Sequence, residues 1–314
     1  MKLSVAMITY NQERYIGQAI ESVLAQKVNF DYEIVTGEDC STDGTRAIVT
    51  DFSRRYPGRI VPLLRERNLG GPQNFLGTLA ACRGQYVALL EGDDYWTSVD
   101  KLQMQVDFLD AHPDRVSCCH RVKFLYETGP ARVDVHPLLA AGPYTIEDLL
   151  RMNFVVTCST VLRRDLIGPL PRWLFETSLG DWPLHAIAAR NGKIELMDEI
   201  MATYRVHPGG TWSSLPLTSQ LLEITRMLTL LDKHLGFQYT RTIRPALARW
   251  YLELACDARQ DGSRMETGKH LVSCIRCGGL RVGISMRTFA GLAGFAVIGS
   301  WYKLFSRAKT ATRR

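Results

Sequence analysis

The chain contains 314 residues, of which 46% are hydrophobic and 22% are charged. This length and composition allow one large domain or two modest ones with a buried core, and they exclude a largely disordered protein. The formal net charge is +6, and the cations are scattered apart from a cluster at the extreme C-terminus. Nucleic-acid binders usually carry a dense basic stripe, so we expect no nucleic-acid partner.

The N-terminus and the cysteines indicate the compartment. The chain begins directly with the strand-like segment Leu3–Thr9 and lacks the features of a secretory signal peptide. Its eight cysteines are irregularly spaced and do not form the pattern of a disulfide framework. We therefore expect a cytoplasmic protein whose cysteines are mostly buried thiols.

The first ninety residues alternate short apolar runs with amphipathic segments. This pattern predicts an α/β fold with a mostly parallel sheet and helices on both faces. The predicted strands are Leu3–Thr9, Tyr32–Gly37, Ile60–Leu64 and Tyr86–Leu90, and the predicted helices are Glu13–Gln26, Ser41–Tyr56 and Gln73–Cys82. Ser41 or Thr42 is expected to cap the second helix, with Asp43 in its first turn.

The later part of the chain is predicted to change from mixed to helical structure. Residues 116–204 combine strands with loops, and the helices Leu217–Leu235, Thr242–Ala258 and Thr267–Cys277 follow, with turns at Gly236 and Gly262. The only domain boundary that we predict lies near residue 215. It separates a domain over 1–215 from a helical C-terminal region over 216–314.

Polar residues recur where the predicted strands end. They are Thr9-Tyr10-Asn11, Glu38-Asp39, Asn68 and Glu91-Gly92-Asp93-Asp94. Ligand sites in open α/β sheets lie at the carboxyl ends of the strands. We therefore expect these segments to meet in one binding site.

The acidic segment Glu91–Asp94 places three carboxylates within four residues. Such charges repel one another unless a cation lies between them, and Mg²⁺ and Mn²⁺ prefer carboxylate oxygens and retain positions for phosphates. The segment therefore predicts a divalent ion that bridges a diphosphate. A solvated acidic turn is the alternative interpretation of an isolated cluster of this kind.

Several motifs occur in an order that is typical of one family. Ser4–Asn11, Glu38–Thr45, Asn68-Leu69-Gly70, Asn74 and Glu91–Asp94 together resemble the family 2 glycosyltransferases over roughly residues 3–210. The resemblance implies a GT-A type fold and an inverting transfer of a sugar from a nucleotide-diphosphate donor, with UDP as the expected nucleotide. It also implies Mn²⁺ or Mg²⁺ as a cofactor.

The resemblance assigns residues to the donor nucleotide. It places Thr9, Tyr10 and Asn11 beside the nucleobase and ribose, and it makes Asp39 the acceptor of a hydrogen bond from the base. Asn68 is expected to complete this part of the site. Asp39 is alternatively a turn residue before the second helix.

The resemblance also assigns roles within the acidic segment. Asp93 is expected to bind the metal with help from Asp94, and Gly92 is expected to lie against the donor. Glu91 stands where the commonest family pattern has Asp, and it is expected near the ribose or a metal-bound water.

An inverting transfer needs a base that removes the proton of the acceptor hydroxyl. The family places an acid for this role well downstream of the metal site, and Asp181 matches that position. Gly180 replaces the Glu that usually precedes this acid. The alternative interpretation makes Asp181 the N-cap of a helix that Trp182 and Pro183 open.

The segment Tyr204–His207 resembles the part of the family that closes the donor site. Arg205 is expected to contact phosphate, and His207 is expected to bind the metal, although a lone His is more often structural. Gly209 and Gly210 are expected to form the hinge of a lid.

Two C-terminal features are interpreted separately. The apolar run over 288–302 is short for a membrane span but has aromatic and basic flanks, so residues 288–314 are expected to contact the membrane surface or to pack on the protein. Cys274 and Cys277 form a single CxxC, which is too few ligands for zinc. They are expected to lie on a packed helix face.

The sequence thus favours a glycosyltransferase with a glycan or lipid-linked acceptor in cell-surface polysaccharide synthesis. It is expected in the cytoplasm or at the inner face of the membrane, with its oligomeric state left open. A non-catalytic nucleotide-sugar-binding protein and a nucleotidyltransferase are the alternatives. The latter usually carries a Gly-rich, basic loop after its first strand, which Thr9–Arg14 does not match.

Overall fold

The structure is a computed structural model that describes residues 1–129, 132–279 and 288–296. The chain divides into two compact units, within each of which the residues mainly contact one another. The first unit is Met1–Ser214, and the second begins at Leu215.

The first unit is built on one mixed β-sheet. In the residues that the structure describes, its strands are β1 (Leu3–Thr9), β2 (Tyr32–Glu38), β3 (Ile60–Leu64), β4 (Tyr86–Glu91), β5 (Tyr95–Trp96), β6 (Arg115–Tyr126), β7 (Val133–His136), β8 (Gly142–Tyr144), β9 (Val161–Arg163) and β10 (Lys193–Val206). Their order is β3-β2-β1-β4-β9-β6-β10-β5, while β7 pairs with β6 and β8 pairs with β10. The first four strands are parallel, as are β6 and β10, whereas β9 runs antiparallel to both of its neighbours.

Helices follow the early strands of the first unit and form the second unit. They are α1 (Ile16–Leu24), α2 (Thr45–Arg55), α3 (Gly71–Ala81), α4 (Lys101–Ala111), α5 (Ile146–Arg151), α6 (Asp181–Ala188), α7 (Leu217–His234), α8 (Thr240–Gln260) and α9 (Arg264–Arg276). Residues 288–296 are also helical. Short 3₁₀ helices lie at Thr157–Ser159, Arg164–Leu166, Arg172–Glu176 and Ala189–Asn191.

The core of the first unit lies along its central strands. Every residue of β2 is buried, as are nearly all residues of β1, because a parallel sheet packed on both faces removes side chains from water on either side. On α1, Ile16, Ala19, Ile20 and Val23 are buried at the spacing of one helix face. The apolar periodicity of the sequence therefore produces both the strands and the helix that covers them.

The predicted fold class is confirmed: the sheet is mixed but mostly parallel, and a helical region follows it. The turns after α7 and α8 also form where they were predicted. Gly236 and Gly262 adopt φ values of 61° and 74°, which glycine tolerates without a steric penalty.

The predicted start of α2 is wrong. The helix begins at Thr45, four residues later than expected, because Ser41 and Thr42 contact Asn11 in the loop after β1 and do not cap the helix. The Ser41 hydroxyl accepts a hydrogen bond from the Asn11 amide, and the Thr42 amide donates to Asn11 Oδ1. Asp43 stabilises the first turn of the helix, since its Oδ1 accepts a hydrogen bond from the Thr45 amide at 3.0 Å.

All eight cysteines are free, and five of them are buried, as the sequence predicts. Cys274 is buried and Cys277 is partly buried at the end of α9. No helix within the described ranges is both long and apolar enough to cross a bilayer. Most of the segment predicted to contact a membrane, residues 297–314, lies outside the described residues.

Candidate active site

The carboxyl ends of three parallel strands meet at one edge of the sheet. In the registers of these strands, Thr9 of β1 lies beside Glu38 of β2, and Ile8 lies beside Glu91 of β4. The polar segments that follow the strands are therefore neighbours. The strand ends that were expected to form one site thus lie together, and their binding of one ligand stays a prediction.

Gly92 allows the acidic segment to turn closely against β1. Its amide donates to the Ile8 carbonyl at 2.9 Å. A Cβ at this position would lie 2.6 Å from Gln12 Oε1 and 2.8 Å from Thr9 Oγ1, which is closer than real Cβ contacts allow. The turn therefore requires glycine, and Thr9 and Gln12 form the floor beneath it.

Asp93 and His207 meet across the sheet although 114 residues separate them. Strand β10 runs antiparallel to β5, which follows the acidic segment directly, and this pairing brings the end of β10 back to Asp93. His207 Nε2 lies 3.1 Å from Asp93 Oδ2, and the imidazole packs against Tyr15 with ring centroids 4.8 Å apart. The structure thus brings together two of the three predicted metal ligands.

Asp94 forms its hydrogen bond with the backbone of β10 and not with His207. Only 1% of its surface is exposed, and its Oδ1 accepts a hydrogen bond from the Arg205 amide at 2.8 Å. Burial raises the pKa of Asp94, and the charges of Asp93 and Glu91 raise it further. In this position Asp94 ties the acidic segment to β10.

Arg205 contacts several protein groups around Asp93. Its guanidinium donates to the Asp93 carbonyl and to Gln18 Oε1, and its Nε lies 3.5 Å from Glu127. It also lies over two aromatic rings, with 4.9 Å to the centroid of Tyr15 and 4.5 Å to that of Tyr95. The residue is buried and supports Asp93 through these contacts, while its contact with phosphate stays a prediction.

Asp181 lies near the acidic segment at the first residue of α6. Its Oδ2 accepts a hydrogen bond from the Thr157 hydroxyl at 2.8 Å. It makes no side-chain cap of α6, for which Gly180 is the N-cap residue. The cap interpretation of Asp181 is therefore wrong, and the carboxylate is available to face the site.

Glu91 shares the electrostatic environment of Asp93 and Asp181. Burial raises the pKa of Glu91, and the charges of Asp93 and Asp181 raise it further. Within the part of the chain that the structure describes, Glu91 Oε2 is buried without a hydrogen-bond partner. These carboxylates therefore form a negative cluster that a proton or a cation would stabilise.

The residues predicted to bind the nucleotide include Asp39 and Asn68, which both contact the loop after β3. Asp39 Oδ1 and Oδ2 accept hydrogen bonds from the Leu69 and Gly70 amides at 2.8 and 2.9 Å, and Asn68 Oδ1 also accepts from Gly70. Asp39 therefore fixes the loop after β3 with both oxygens. Each oxygen retains a second lone pair, so this contact is compatible with the predicted acceptance from a base.

Asn11 and Tyr10 form the rim of this group. Asn11 has a φ of 52° and binds the loop before α2 through its amide and side chain, as described above. Its neighbour Tyr10 is 44% exposed, whereas Thr9 is buried. The strand end therefore presents an aromatic ring to solvent beside the Asp39 loop.

The acidic cluster offers a cation only a few protein ligands. Among the described residues, no three His, Cys, Asp or Glu side chains converge to hold a metal ion by themselves. Protein sites for Mg²⁺ that also bind phosphates usually supply only one or two carboxylates, with substrate and water providing the rest. Asp93 and His207, together with the unpaired oxygen of Glu91 close by, fit an ion of this kind.

Some residues of the site escaped prediction. Thr157, Gln18 and Glu127 all contact predicted site residues, but none belongs to a motif or follows one of the first four strands. Glu127 directly follows the end of β6, which pairs in parallel with β10, so correct strand pairing would have indicated it. Nothing in the sequence around Thr157 marks it as a neighbour of Asp181.

Comparison with known proteins identifies the family. Residues 4–168 match the family model described as Glycosyl transferase family 2. The chain belongs to this family. It is 40% identical to an uncharacterized protein, Rv1520, of Mycobacterium tuberculosis over 213 residues, which are 68% of this chain and 61% of Rv1520. The chain thus matches about three fifths of that relative.

Two further glycosyltransferases are similar to the chain. The putative teichuronic acid biosynthesis glycosyltransferase TuaG of Bacillus subtilis is 29% identical over 65% of this chain and 79% of its own length. The crystal structure of Staphylococcus aureus TarS 1-349 in complex with UDP-GlcNAc superposes with a TM-score of 0.69 at 19% identity, over 95% of this chain and 88% of that one. The family match and this likeness confirm the GT-A type α/β fold.

Proposed function

We propose that the chain is an inverting, metal-dependent glycosyltransferase that transfers a sugar from a UDP-sugar to a hydroxyl group. The observation that carries the proposal is the Asp93–His207 pair, 3.1 Å apart. It lies beside the carboxylates of Glu91, at the end of β4, and Asp181, at the start of α6. The pair offers one carboxylate and one imidazole to a cation. The carboxylate of Asp181 is close enough to the same cluster to serve the reacting sugar.

The donor nucleotide binds at the Asp39 loop in this proposal. Tyr10 offers an exposed ring on which a base can stack, while Asn11, Asp39 and Asn68 supply polar groups for the base and ribose. A UDP-sugar is favoured because the similar protein TarS was solved with UDP-GlcNAc.

Mn²⁺ or Mg²⁺ is the proposed cofactor, held by Asp93 and His207. When bound, the ion neutralises negative charge on the diphosphate as it departs. The Arg205 guanidinium donates a hydrogen bond to the Asp93 carbonyl, and Tyr15 packs against His207. These contacts hold both side chains in place before a donor arrives, which reduces reorganisation during the reaction.

Asp181 is the proposed base. It would accept the proton of the acceptor hydroxyl as that oxygen attacks the anomeric carbon from the side opposite the diphosphate. A single displacement of this kind inverts the configuration at the anomeric carbon. Thr157 holds one oxygen of the carboxylate.

The proposed acceptor is a glycan or a lipid-linked glycan of the cell surface. The name of TuaG, a putative teichuronic acid biosynthesis enzyme, supports a role in polysaccharide synthesis. We place the reaction in the cytoplasm, at the inner face of the membrane if residues 288–314 contact lipid.

Calorimetric titration of UDP, GDP and dTDP with and without Mn²⁺ tests the donor site. We expect UDP to bind with Mn²⁺, and Asp93→Ala to weaken this binding at least about tenfold, or about 1.4 kcal/mol, because the cation loses a charged ligand. Asp51→Ala is the matched control, since Asp51 is an exposed carboxylate on α2 that pairs with Arg55.

A nucleotide affinity that does not change when Mn²⁺ is added, or that is equal in the wild type and Asp93→Ala, would contradict the proposed metal site. Absence of binding by all three nucleotides would favour the solvated acidic turn and a non-catalytic protein. A release of inorganic pyrophosphate from nucleoside triphosphates would instead support the nucleotidyltransferase alternative.

A second experiment tests the base. UDP release from a UDP-sugar with water as acceptor should fall roughly 10²–10⁴-fold in Asp181→Asn, because an amide cannot accept the proton. UDP affinity should stay within about threefold, or about 0.7 kcal/mol, of the wild-type value. Unchanged release would remove Asp181 from the mechanism.

A further inference from the structure

The Thr157 hydroxyl makes a directed contact with the proposed base. It donates to Asp181 Oδ2 at 2.8 Å, across 24 residues of sequence. Thr157 begins the 3₁₀ helix Thr157–Ser159 and is only partly buried, so it lies between the core and the site. The contact therefore connects the carboxylate to the interior of the unit.

The 3₁₀ helix that carries Thr157 is fixed by donors from separate elements. The Trp96 indole donates to the Cys158 carbonyl at 2.8 Å, and the Gln105 amide donates to the Ser159 carbonyl at 2.9 Å. The Leu89 amide of β4 donates to the Thr160 carbonyl just beyond. Because Cys158 and Ser159 are fully buried, the backbone that carries Thr157 has little freedom to move relative to Asp181.

The carboxylate of Asp181 is held on one side only. Its backbone is fixed because α6 packs into the core, where the Trp182 indole donates to the Leu149 carbonyl at 3.1 Å. Its Oδ2 accepts from Thr157, whereas no hydrogen bond to Oδ1 occurs within the described part of the chain. One oxygen is thus fixed, and the other is left for a ligand.

From this geometry we infer that Thr157 is a positioning residue for Asp181. By holding Oδ2, it fixes the rotation of the carboxylate and directs Oδ1 toward the acceptor. The inference rests on the proposed function. In the reaction, the acceptor proton moves to Oδ1, the acceptor oxygen bonds to the anomeric carbon, and the bond to the diphosphate breaks with its electron pair leaving on the nucleotide.

The test compares Thr157→Val, which has a similar shape without the hydroxyl, with Thr157→Ser, which retains it. UDP release from a UDP-sugar, with water as acceptor, is measured over a range of donor concentrations on the full chain. We expect kcat to fall roughly 10- to 100-fold in Thr157→Val, since a small misplacement of a reacting group has effects of this size. The KM for the donor should stay within about twofold, and Thr157→Ser should restore kcat.

Thr160→Val is the matched control. Thr160 lies three residues away, it is fully buried, and its hydroxyl has no hydrogen-bond partner among the residues described. Its loss should leave kcat unchanged. Thermal unfolding of each variant separates a loss of rate from a loss of fold, and Thr157→Ala replaces Thr157→Val if the latter does not fold.

Three outcomes would overturn the inference: full kcat in Thr157→Val, equal losses in Thr157→Val and Thr157→Ser, or a change confined to KM. Asp181→Asn is assayed in parallel to separate the two proposals. If Asp181→Asn abolishes release while Thr157→Val retains it, only the positioning role fails. If Asp181→Asn retains release, or if the wild type releases no UDP, the proposed function fails and the inference fails with it.

Discussion

Gly180, next to the proposed base, departs from the family pattern for a reason of packing. A Cβ at this position would lie 2.9 Å from Cδ1 of Phe75, which is buried on α3. The ring of Phe75 therefore occupies the space in which the usual Glu side chain would begin. Since Asp181 follows directly, any shift caused by a side chain at 180 would also move the carboxylate.

We expect Gly180→Ala to destabilise the protein by about 1–3 kcal/mol, because the added methyl group overpacks against Phe75. The cost should shrink in a Phe75→Leu background, which a double-mutant cycle in urea would measure. Gly17→Ala is the control, since no atom lies within 4 Å of a Cβ at Gly17. There the substitution should stabilise α1 by about 0.5–1 kcal/mol. Equal effects at the two glycines would contradict the packing explanation.

Individual site residues could be predicted from the sequence where a strand end fixed their position. Glu91 lies beside Ile8 of β1 because parallel strands align their carboxyl ends, and this follows from the pattern alone. The partners of Asp94 and Arg205 could not be predicted in this way. Their contacts depend on a β10–β5 pairing across more than 100 residues, which no local pattern specifies.

At the scale of elements, α4 carries an unusual buried cation. Lys101 is fully buried at the start of this helix, and its Nζ lies 4.0 Å from the ring centroid of Trp96. The ammonium group has no hydrogen-bond partner within the described residues. Burial lowers the pKa of Lys101 to about 7, although the neighbouring thiols of Cys118 and Cys158 act in the opposite direction.

This burial makes the stability of the protein depend on pH. An unfolded Lys101 keeps its proton up to its ordinary pKa of 10.5, whereas the folded one releases it near 7. Because the unfolded state binds more protons between these values, the free energy of unfolding should rise by on the order of 2 kcal/mol from about pH 7 to about pH 9.

Urea unfolding at both pH values measures this rise. Lys101→Met should abolish it, because methionine has a similar length and no charge. Lys269→Met, at an exposed lysine of α9, should retain it. A rise that persists in Lys101→Met would assign the effect to another group.

The elements themselves were predictable to different degrees. The predicted bounds of β1 to β4 were correct within one residue, because short continuous apolar runs indicate strands that are buried on both faces of a sheet. The start of α2 was predicted wrongly. Ser41 and Thr42 are residue types that often cap helices, but here they form hydrogen bonds with Asn11. A local preference was overridden there by a contact between two loops.

At the scale of the whole molecule, the proposed site lies within one unit. Every residue proposed to bind the donor, the metal or the acceptor proton falls within Met1–Ser214, and the sheet belongs to this unit as well. A unit with its own core is the usual requirement for independent folding.

We therefore expect a fragment ending at Ser214 to fold and to bind UDP with Mn²⁺. Its affinity should lie within about tenfold, or about 1.4 kcal/mol, of that of the full chain. Circular dichroism and calorimetry would measure folding and binding. A fragment that folds but does not bind UDP would show that residues after 214 contribute to the donor site.

The distance along the chain between Asp93 and His207 also affects how the protein is made. The four parallel strands end at Glu91, so the nascent chain can complete this half of the sheet early. At ordinary rates of synthesis, the 114 residues between Asp93 and His207 take roughly 6–23 s to follow. During that interval the acidic turn has neither its histidine nor the strand that supports it. The Asp93–His207 pair, which is the proposed metal site, would therefore form only after β10 has been synthesised and inserted between β6 and β5.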